Sequence, residues 1–395
     1  MERIVIIGAG ECGVRAAFAL REQGYKGTIT LIGDEQVLPY ERPPLSKGTD
    51  GALKPIRAEE TYTEAGIDLH RGACVERIDP EAQNVTLKSG ESLSYDKLLI
   101  ATGSRARLFP TMEGCLTLRT DKDAAAIFQS VKPGARLGVI GGGFIGLELA
   151  AVARGLGAQV TVFEAGGRLL ARAVPADIAQ HVADRHQVEG VTVRTGVNVA
   201  AAAGTTVSLS NGEVLGFDQV VVGVGSVPNT ELAEAAGLDV DNGIRVDERF
   251  RTSDPHIFAA GDCCNFDWRG TRVRLESWKA AQDQGAFAAA AMLGNAGSYE
   301  SVPWFWSDQF DMSLQVAGLF NPELAVTERP TEDGKCIVFQ CDAGGHLLAA
   351  AGIGPGNSIA KDIRIFEKLI ERGAPLDPGL LADPSQNIKR LLRAA

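Results

Sequence analysis

Two glycine triplets carry most of the chemistry legible in this 395-residue chain. Gly8-Ala9-Gly10-Glu11-Cys12-Gly13 follows the apolar run Ile4-Val5-Ile6-Ile7, and Gly141-Gly142-Gly143-Phe144-Ile145-Gly146 follows Leu137-Gly138-Val139-Ile140. Each reads as a short strand, then G-x-G-x-x-G, then an Ala-rich helix. A pyrophosphate binds at a helix N-terminus, where unpaired N–H groups and the positive dipole end face it. The first glycine makes the tight turn, the second keeps a side chain away from the phosphates, and the third lets helix and strand pack closely. One such turn is weak evidence; two, both strand-flanked, predict two dinucleotide sites.

The strands that follow the turns suggest which nucleotides bind. Gln159-Val160-Thr161-Val162-Phe163 ends on Glu164, an acid of the kind that binds a ribose 2′-hydroxyl and repels a 2′-phosphate, so NADH is expected there, with Arg168 and Arg172 nearby as the opposing signal. In the first unit the corresponding position is Gly33, and the acids come one and two residues later, Asp34 and Glu35. Three further segments sit at the carboxyl ends of apolar runs, where ligands of open α/β sheets bind: Ala101-Thr102-Gly103, Gly223-Val224-Gly225 and Gly261-Asp262.

These units need sheets to hold them. The expected class is α/β, with two Rossmann-like dinucleotide-binding domains, one inserted in the other, and a C-terminal α+β domain. Residues 1–111 form the first part of an FAD-type domain, 112–230 the inserted NADH-type domain, 231–300 the second part of the first, and 301–395 the C-terminal domain. The run Ile257-Phe258-Ala259-Ala260 is expected to return to the first sheet.

Charged residues are 23% and hydrophobic ones 45% of the chain, as in ordinary globular proteins. A net charge of −11 argues against a nucleic-acid partner. No apolar run approaches a membrane span, and Met1-Glu2-Arg3 leads straight into a strand, so a cytoplasmic protein is expected, as a monomer or weak homodimer. The seven cysteines show neither C-x-x-C nor zinc spacing, and the Cys263-Cys264 pair reads as buried structural thiols. The five histidines form no cluster, so no metal is expected; His181 and His186 lie in a polar helical stretch and read as surface residues.

The chain resembles the FAD-dependent ferredoxin reductases of bacterial aromatic-ring dioxygenase and cytochrome P450 systems, which have a glutathione reductase-type fold. The resemblance covers almost the whole chain. It rests on the paired glycine turns, Pro39-Tyr40-Glu41-Arg42-Pro43-Pro44-Leu45-Ser46-Lys47, Ala101-Thr102-Gly103, Gly261-Asp262, Glu276-Ser277-Trp278 and Pro303-Trp304-Phe305-Trp306-Ser307-Asp308-Gln309. It implies that the first unit holds FAD, through Gly8, Gly10, Cys12, Gly13, Asp34 or Glu35, Val75 and the segments just quoted. Arg42 and Lys47 would lie along the flavin, Arg119 would make a crossover contact, Asp262 would bind the ribityl chain and Trp278 would lie near the ring. NADH would be held by Gly141, Gly143, Phe144, Ile145, Gly146, Glu148, Glu164, Arg172 and Gly223 to Gly225. Lys47 alone would read as a solvated lysine, and Glu148 as a solvated helix acid. The resemblance instead pairs them beside flavin N5 as catalytic groups, with Trp306 at the electron exit.

Nicotinamide gives up two electrons at once and a [2Fe–2S] ferredoxin takes one, so the implied reaction needs a flavin between them. A rubredoxin could replace the ferredoxin. Other classes share the fold. A disulfide oxidoreductase would need a cysteine pair, and an NADH oxidase usually carries a single cysteine where this chain has Arg42 to Lys47. A flavoprotein that changes state with NADH, like the apoptosis-inducing factors, is the remaining alternative. Finally, Lys361, Arg364, Lys368 and Arg372 recur at helical spacing, a basic stripe that would suit an acidic partner.

Overall fold

The computed structural model describes residues 2–48, 53–331 and 334–394. Two compact units account for the chain: Met1–Arg42 with Leu53–Arg105 and Ser226–Ser301, and Pro43–Ala52 with Ala106–Gly225 and Val302–Ala395.

The first unit is built on a five-stranded parallel sheet. Its strands lie in the order Ile257–Ala259, Lys97–Ile100, Arg3–Ile7, Thr28–Ile32, Ile67–His70. The apolar run Ile4–Ile7 is buried on both faces, as a central parallel strand requires. An antiparallel meander, Val75–Asp79, Asn84–Leu87 and Ser92–Ser94, leads back into the sheet at Lys97. The strand Ile257–Ala259 pairs with Lys97–Ile100, so the chain does return to this sheet. Helix Glu11–Glu22 packs against helix Trp278–Met292 closely enough that a Cβ on Gly285 would lie 2.4 Å from the Cys12 carbonyl oxygen.

The second unit repeats the plan. Its parallel sheet runs Thr192–Arg194, Gln159–Phe163, Arg136–Ile140, Gln219–Val222, Leu116–Thr117, with its own meander over residues 199–216. The same unit contains the C-terminal α+β layer. There a five-stranded antiparallel sheet is ordered Trp304–Gln309, Met312–Gly318, Leu347–Pro355, Cys336–Cys341, Thr327–Arg329. Helix Ala360–Arg372 lies on it through Ile363, Phe366, Leu369 and Ile370 and exposes Lys361, Arg364, Lys368 and Arg372. The α/β class expected from the sequence is the one observed.

One expectation fails. Helix Ala176–Val188 exposes His181, but His186 is completely buried. Asp184 and Gln187 beside it in sequence face solvent, and it lies on the stripe with Ile178, Ala179 and Val182 that faces the core.

Candidate functional site: two nucleotide cradles and a buried carboxylate

The glycines of the two turns have the same three jobs. Gly8 has φ +108°, and a Cβ there would be 2.1 Å from the Ala101 oxygen; Gly141 has φ +112° and would be 2.3 Å from the Gly223 oxygen. Gly13 and Gly146 come so close to their own turns that a Cβ would lie 1.9 Å from the Gly8 oxygen and 2.5 Å from the Gly141 oxygen. A Cβ on Gly10 would meet nothing within 4 Å, and on Gly143 only the Gly223 oxygen at 3.9 Å. These glycines keep open the space in front of helices Glu11–Glu22 and Phe144–Gly155, neither of which is capped by a side chain. The first N–H groups of each helix are left for an anion. The residues fit a dinucleotide pyrophosphate in both units.

The two units differ at the ribose position for a steric reason. In the second unit Glu164 follows the strand, and its carboxylate accepts from Gly142 N–H at 2.8 Å and Gly166 N–H at 2.6 Å. A methyl group on Gly142 would lie 2.6 Å from Leu169 Cδ2 and 3.0 Å from the Glu164 carboxylate. In the first unit the turn residue is Ala9, and a Cβ on Gly33 would lie 2.7 Å from Ala9 Cβ. Either the turn or the strand end can carry a side chain there, not both. The acid is therefore displaced in the first unit to exposed Asp34 and to Glu35, which accepts from Tyr40 Oη and from Arg42 Nη2, each at 2.6 Å. Arg168 donates to the carbonyls of Leu169, Ala171 and Val174, which occupies its guanidinium within its own loop; Arg172 approaches Gly225, at 3.7 Å from a Cβ built there.

Several other first-unit candidates lie around the sheet's carboxyl end. Asp262 accepts from Ser104 Oγ at 2.9 Å, and Gly261 N–H donates to buried Gln284 at 2.7 Å. Thr102 exchanges hydrogen bonds with Asn229, 2.8 Å in each direction. Glu276 pairs with Arg274 and accepts from Ser226 Oγ at 2.5 Å, while Ser277 caps the helix that Trp278 begins. Val75 is buried at the start of the meander. Cys12, Cys263 and Cys264 are all buried, and burial pushes each thiol up. Glu11, unremarked in sequence, turns away from helical solvation: Gln282 Nε2 donates to it at 3.0 Å, and burial raises its carboxyl.

In the second unit Phe144 meets Phe305 edge-on at 5.1 Å between ring centroids, Ile145 is exposed, and Arg119 donates its backbone N–H to Asp123 at 2.9 Å. The densest polar cluster is also here. Glu148, on the second turn of helix Phe144–Gly155, is 7% exposed. One carboxylate oxygen accepts from Ser307 Oγ at 2.6 Å and the other from Ser46 Oγ at 2.5 Å. Lys47 Nζ is 3.7 Å from this carboxylate and 3.1 Å from Asp308, and it lies 5.0 Å from the centroid of Trp306. Trp306 stacks on Trp304 at 5.5 Å and donates from Nε1 to Asp308 at 3.0 Å. Lys47 thus has two carboxylate partners where the sequence suggested one. Burial raises the Glu148 carboxyl above the usual range, and Lys47, Ser307 and Ser46 hold it back. Ser46, Ser307 and Asp308 all lie inside motifs already quoted; only their neighbours had been given roles.

Residues 2–285 match the family described as pyridine nucleotide-disulphide oxidoreductase, and residues 304–392 match the reductase C-terminal family. The chain is 43% identical to the ferredoxin–NAD(+) reductase component of an anthranilate 1,2-dioxygenase system from Burkholderia cepacia, over 98% of both chains. It is 41% identical to rhodocoxin reductase of Rhodococcus erythropolis, over 98% of this chain and 93% of that one. The crystal structure of a covalent putidaredoxin reductase–putidaredoxin complex superposes with a TM-score of 0.93 at 35% identity, covering 100% of this chain and 99% of that one.

Two predictions follow from the geometry. Glu164→Gln removes one acceptor from a carboxylate that ties down the Gly142 turn, so the KM for NADH should rise about tenfold and the preference over NADPH should narrow. A wild-type kcat/KM higher with NADPH than with NADH would contradict the role given to Glu164. The second prediction concerns pH. A carboxyl raised in the folded protein stabilises it most at low pH, below the unfolded value, and loses that contribution as pH rises through the folded value. Glu148→Gln should therefore raise the melting temperature at pH 8, with the gain fading towards pH 4. A uniform loss of stability across that range would refute it.

Proposed function

Since the chain belongs to the pyridine nucleotide-disulphide oxidoreductase family and carries that family's reductase C-terminal domain, we propose that it is an NADH:ferredoxin reductase serving an oxygenase, either a Rieske dioxygenase or a cytochrome P450. FAD, when bound, supplies the chemistry: it accepts a hydride from NADH and releases electrons singly to a one-electron acceptor. The chain's own residues bind, orient and supply charge. The first turn, with Asp262 and the Glu35–Arg42 pair, is assigned to FAD, and the second turn, with Glu164, to NADH. Lys47, held by Glu148 and Asp308, supplies positive charge where negative charge develops on reduction.

The observation that decides between reaction types is the state of the thiols. Cys12 in the first turn and Cys263 and Cys264 next to Asp262 are buried and pushed up, the opposite of what a thiolate nucleophile needs. Electrons must then leave to a docked protein and not through a dithiol. All seven cysteines are free, which supports a cytoplasmic location, and no helix among the described residues is long and apolar enough to cross a membrane.

The purified protein should carry about one FAD per chain and reduce cytochrome c with NADH only when a [2Fe–2S] ferredoxin is added. Finding FMN or no flavin would overturn the first-unit assignment, and NADH oxidation unmoved by any ferredoxin or rubredoxin would favour an NADH-sensing flavoprotein. Lys47→Ala should slow flavin reduction at least tenfold in stopped flow while leaving FAD content intact; an unchanged rate removes Lys47 from the mechanism. Charge reversal at Lys361, Arg364 and Lys368 should raise the KM for ferredoxin and flatten its salt dependence. An unaltered KM at low ionic strength would return that helix face to ordinary solvation.

A further inference from the structure

The buried face of helix Ala176–Val188 meets strand Trp304–Gln309 through a line of hydrogen bonds that ends on Glu148. His186 Nε2 and Gln309 Oε1 are 2.8 Å apart, Gln309 Nε2 is 3.0 Å from Ser307 Oγ, and Ser307 Oγ is 2.6 Å from Glu148. His186, Gln309, Ser307 and Glu148 are all buried.

The direction of the line follows from proton counting. An ionised carboxylate only accepts, so the single proton of Ser307 goes to Glu148. Ser307 can then only accept from Gln309, which places the amide NH2 towards Ser307 and the amide oxygen towards His186. The imidazole must therefore carry its proton on Nε2, leaving Nδ1 as an acceptor. Nδ1 is buried and has no hydrogen-bond partner among the described residues. The ring borders a cavity of about 10 Å³ lined also by Arg185, Gln309, Ser307 and Met312, room for about one water. Every donor in the line points at the carboxylate, and polarised chains of this kind strengthen one another in a low-dielectric interior.

We propose that His186 is a positioning residue for Glu148: through Gln309 and Ser307 it fixes the direction of the donor chain that keeps this buried carboxylate ionised and facing Lys47. The groups around the imidazole are suited to that role. On its own helix, Arg185 is engaged with Glu189 and with Asp311 at 2.9 Å. From the strand Trp304–Gln309 only Gln309 bonds the ring, and Phe310 meets it edge-on at 5.0 Å. The neighbouring sheet strands contribute Met312, Leu314 and Ile353, which are apolar. Burial lowers the imidazole's proton affinity, so it stays neutral, with one N–H to give.

The consequence for turnover rests on the role proposed above for Lys47 and Glu148, so the test separates the two. In the oxidised, FAD-loaded protein, infrared titration follows the C=O band of the protonated Glu148 carboxyl, identified by its loss in Glu148→Gln. His186→Phe removes the donor and should raise the midpoint of that band by about one pH unit, a tenfold gain in proton affinity. His186→Gln, which keeps an N–H near the Nε2 position, should restore it. Gln309→Leu, which cuts the next link, should shift it in the same direction and keeps the test open if His186→Phe does not fold. A midpoint unmoved in the folded variants overturns the proposal. A shifted midpoint with an unaltered rate of flavin reduction by NADH upholds the positioning role and refutes the catalytic use of Glu148.

Discussion

A single carboxylate organises the second unit. Glu148 lies on a helix whose residues Leu147, Leu149, Ala150 and Ala151 are buried, and it is carried into the interior by their packing. Burying an ionised group costs several kcal/mol unless hydrogen bonds and a counter-ion compensate. Compensation comes from residues remote in sequence: Ser46 and Lys47 from a short helical turn, and Ser307 from an antiparallel strand. This is a physical reason for the segment Pro43–Ala52 to belong to the second unit although the chain on both sides of it belongs to the first. The charge also explains why polar residues Ser307 and Gln309 alternate inward along a strand whose partner presents Leu314 and Val316.

The fold was largely legible because it is written in short-range signals. A G-x-G-x-x-G turn after an apolar run specifies a strand, a turn and a helix within a few residues, and both copies formed where the pattern placed them. The site was legible only in part. Lys47, Glu148 and Trp306 could be named because they fall in recognisable segments, but Ser46, Ser307 and Asp308, one residue away from them, received no role. Whether a serine donates to a buried carboxylate depends on a contact across 159 positions in the case of Ser307, and no local pattern encodes that. His186 is a different case, because a local signal does place it, at helical spacing from Ile178, Ala179 and Val182. Its neighbours are polar and its helix is amphipathic, and a histidine between solvated residues looks solvated until the period of the apolar stripe places it inward.

The ribose position shows how two units with one plan come to differ. Gly33 looked like a loss of the fingerprint acid. The geometry makes it one half of an exchange, in which the turn alanine Ala9 occupies the space that Glu164 fills in the second unit. Once a methyl group is present in the turn, the strand must end in glycine, and an acid can reach the nucleotide only from further along the chain. Asp34 and Glu35 are the acids that follow the glycine, and Arg42 holds Glu35 in place.

The same logic of shared space applies to Lys47. Its ammonium is nearer to exposed Asp308 than to buried Glu148, and the two pairs differ in kind. An exposed pair is screened by water and salt and contributes little, whereas a buried one is strengthened by its low-dielectric surroundings. Asp308 is in turn held by the indole of Trp306, so the ammonium sits between a solvent-screened contact at the surface and a buried one in the interior. Excluding solvent from the surface side would lower the local dielectric around both pairs, raising the desolvation cost of each charge while strengthening the attraction between them.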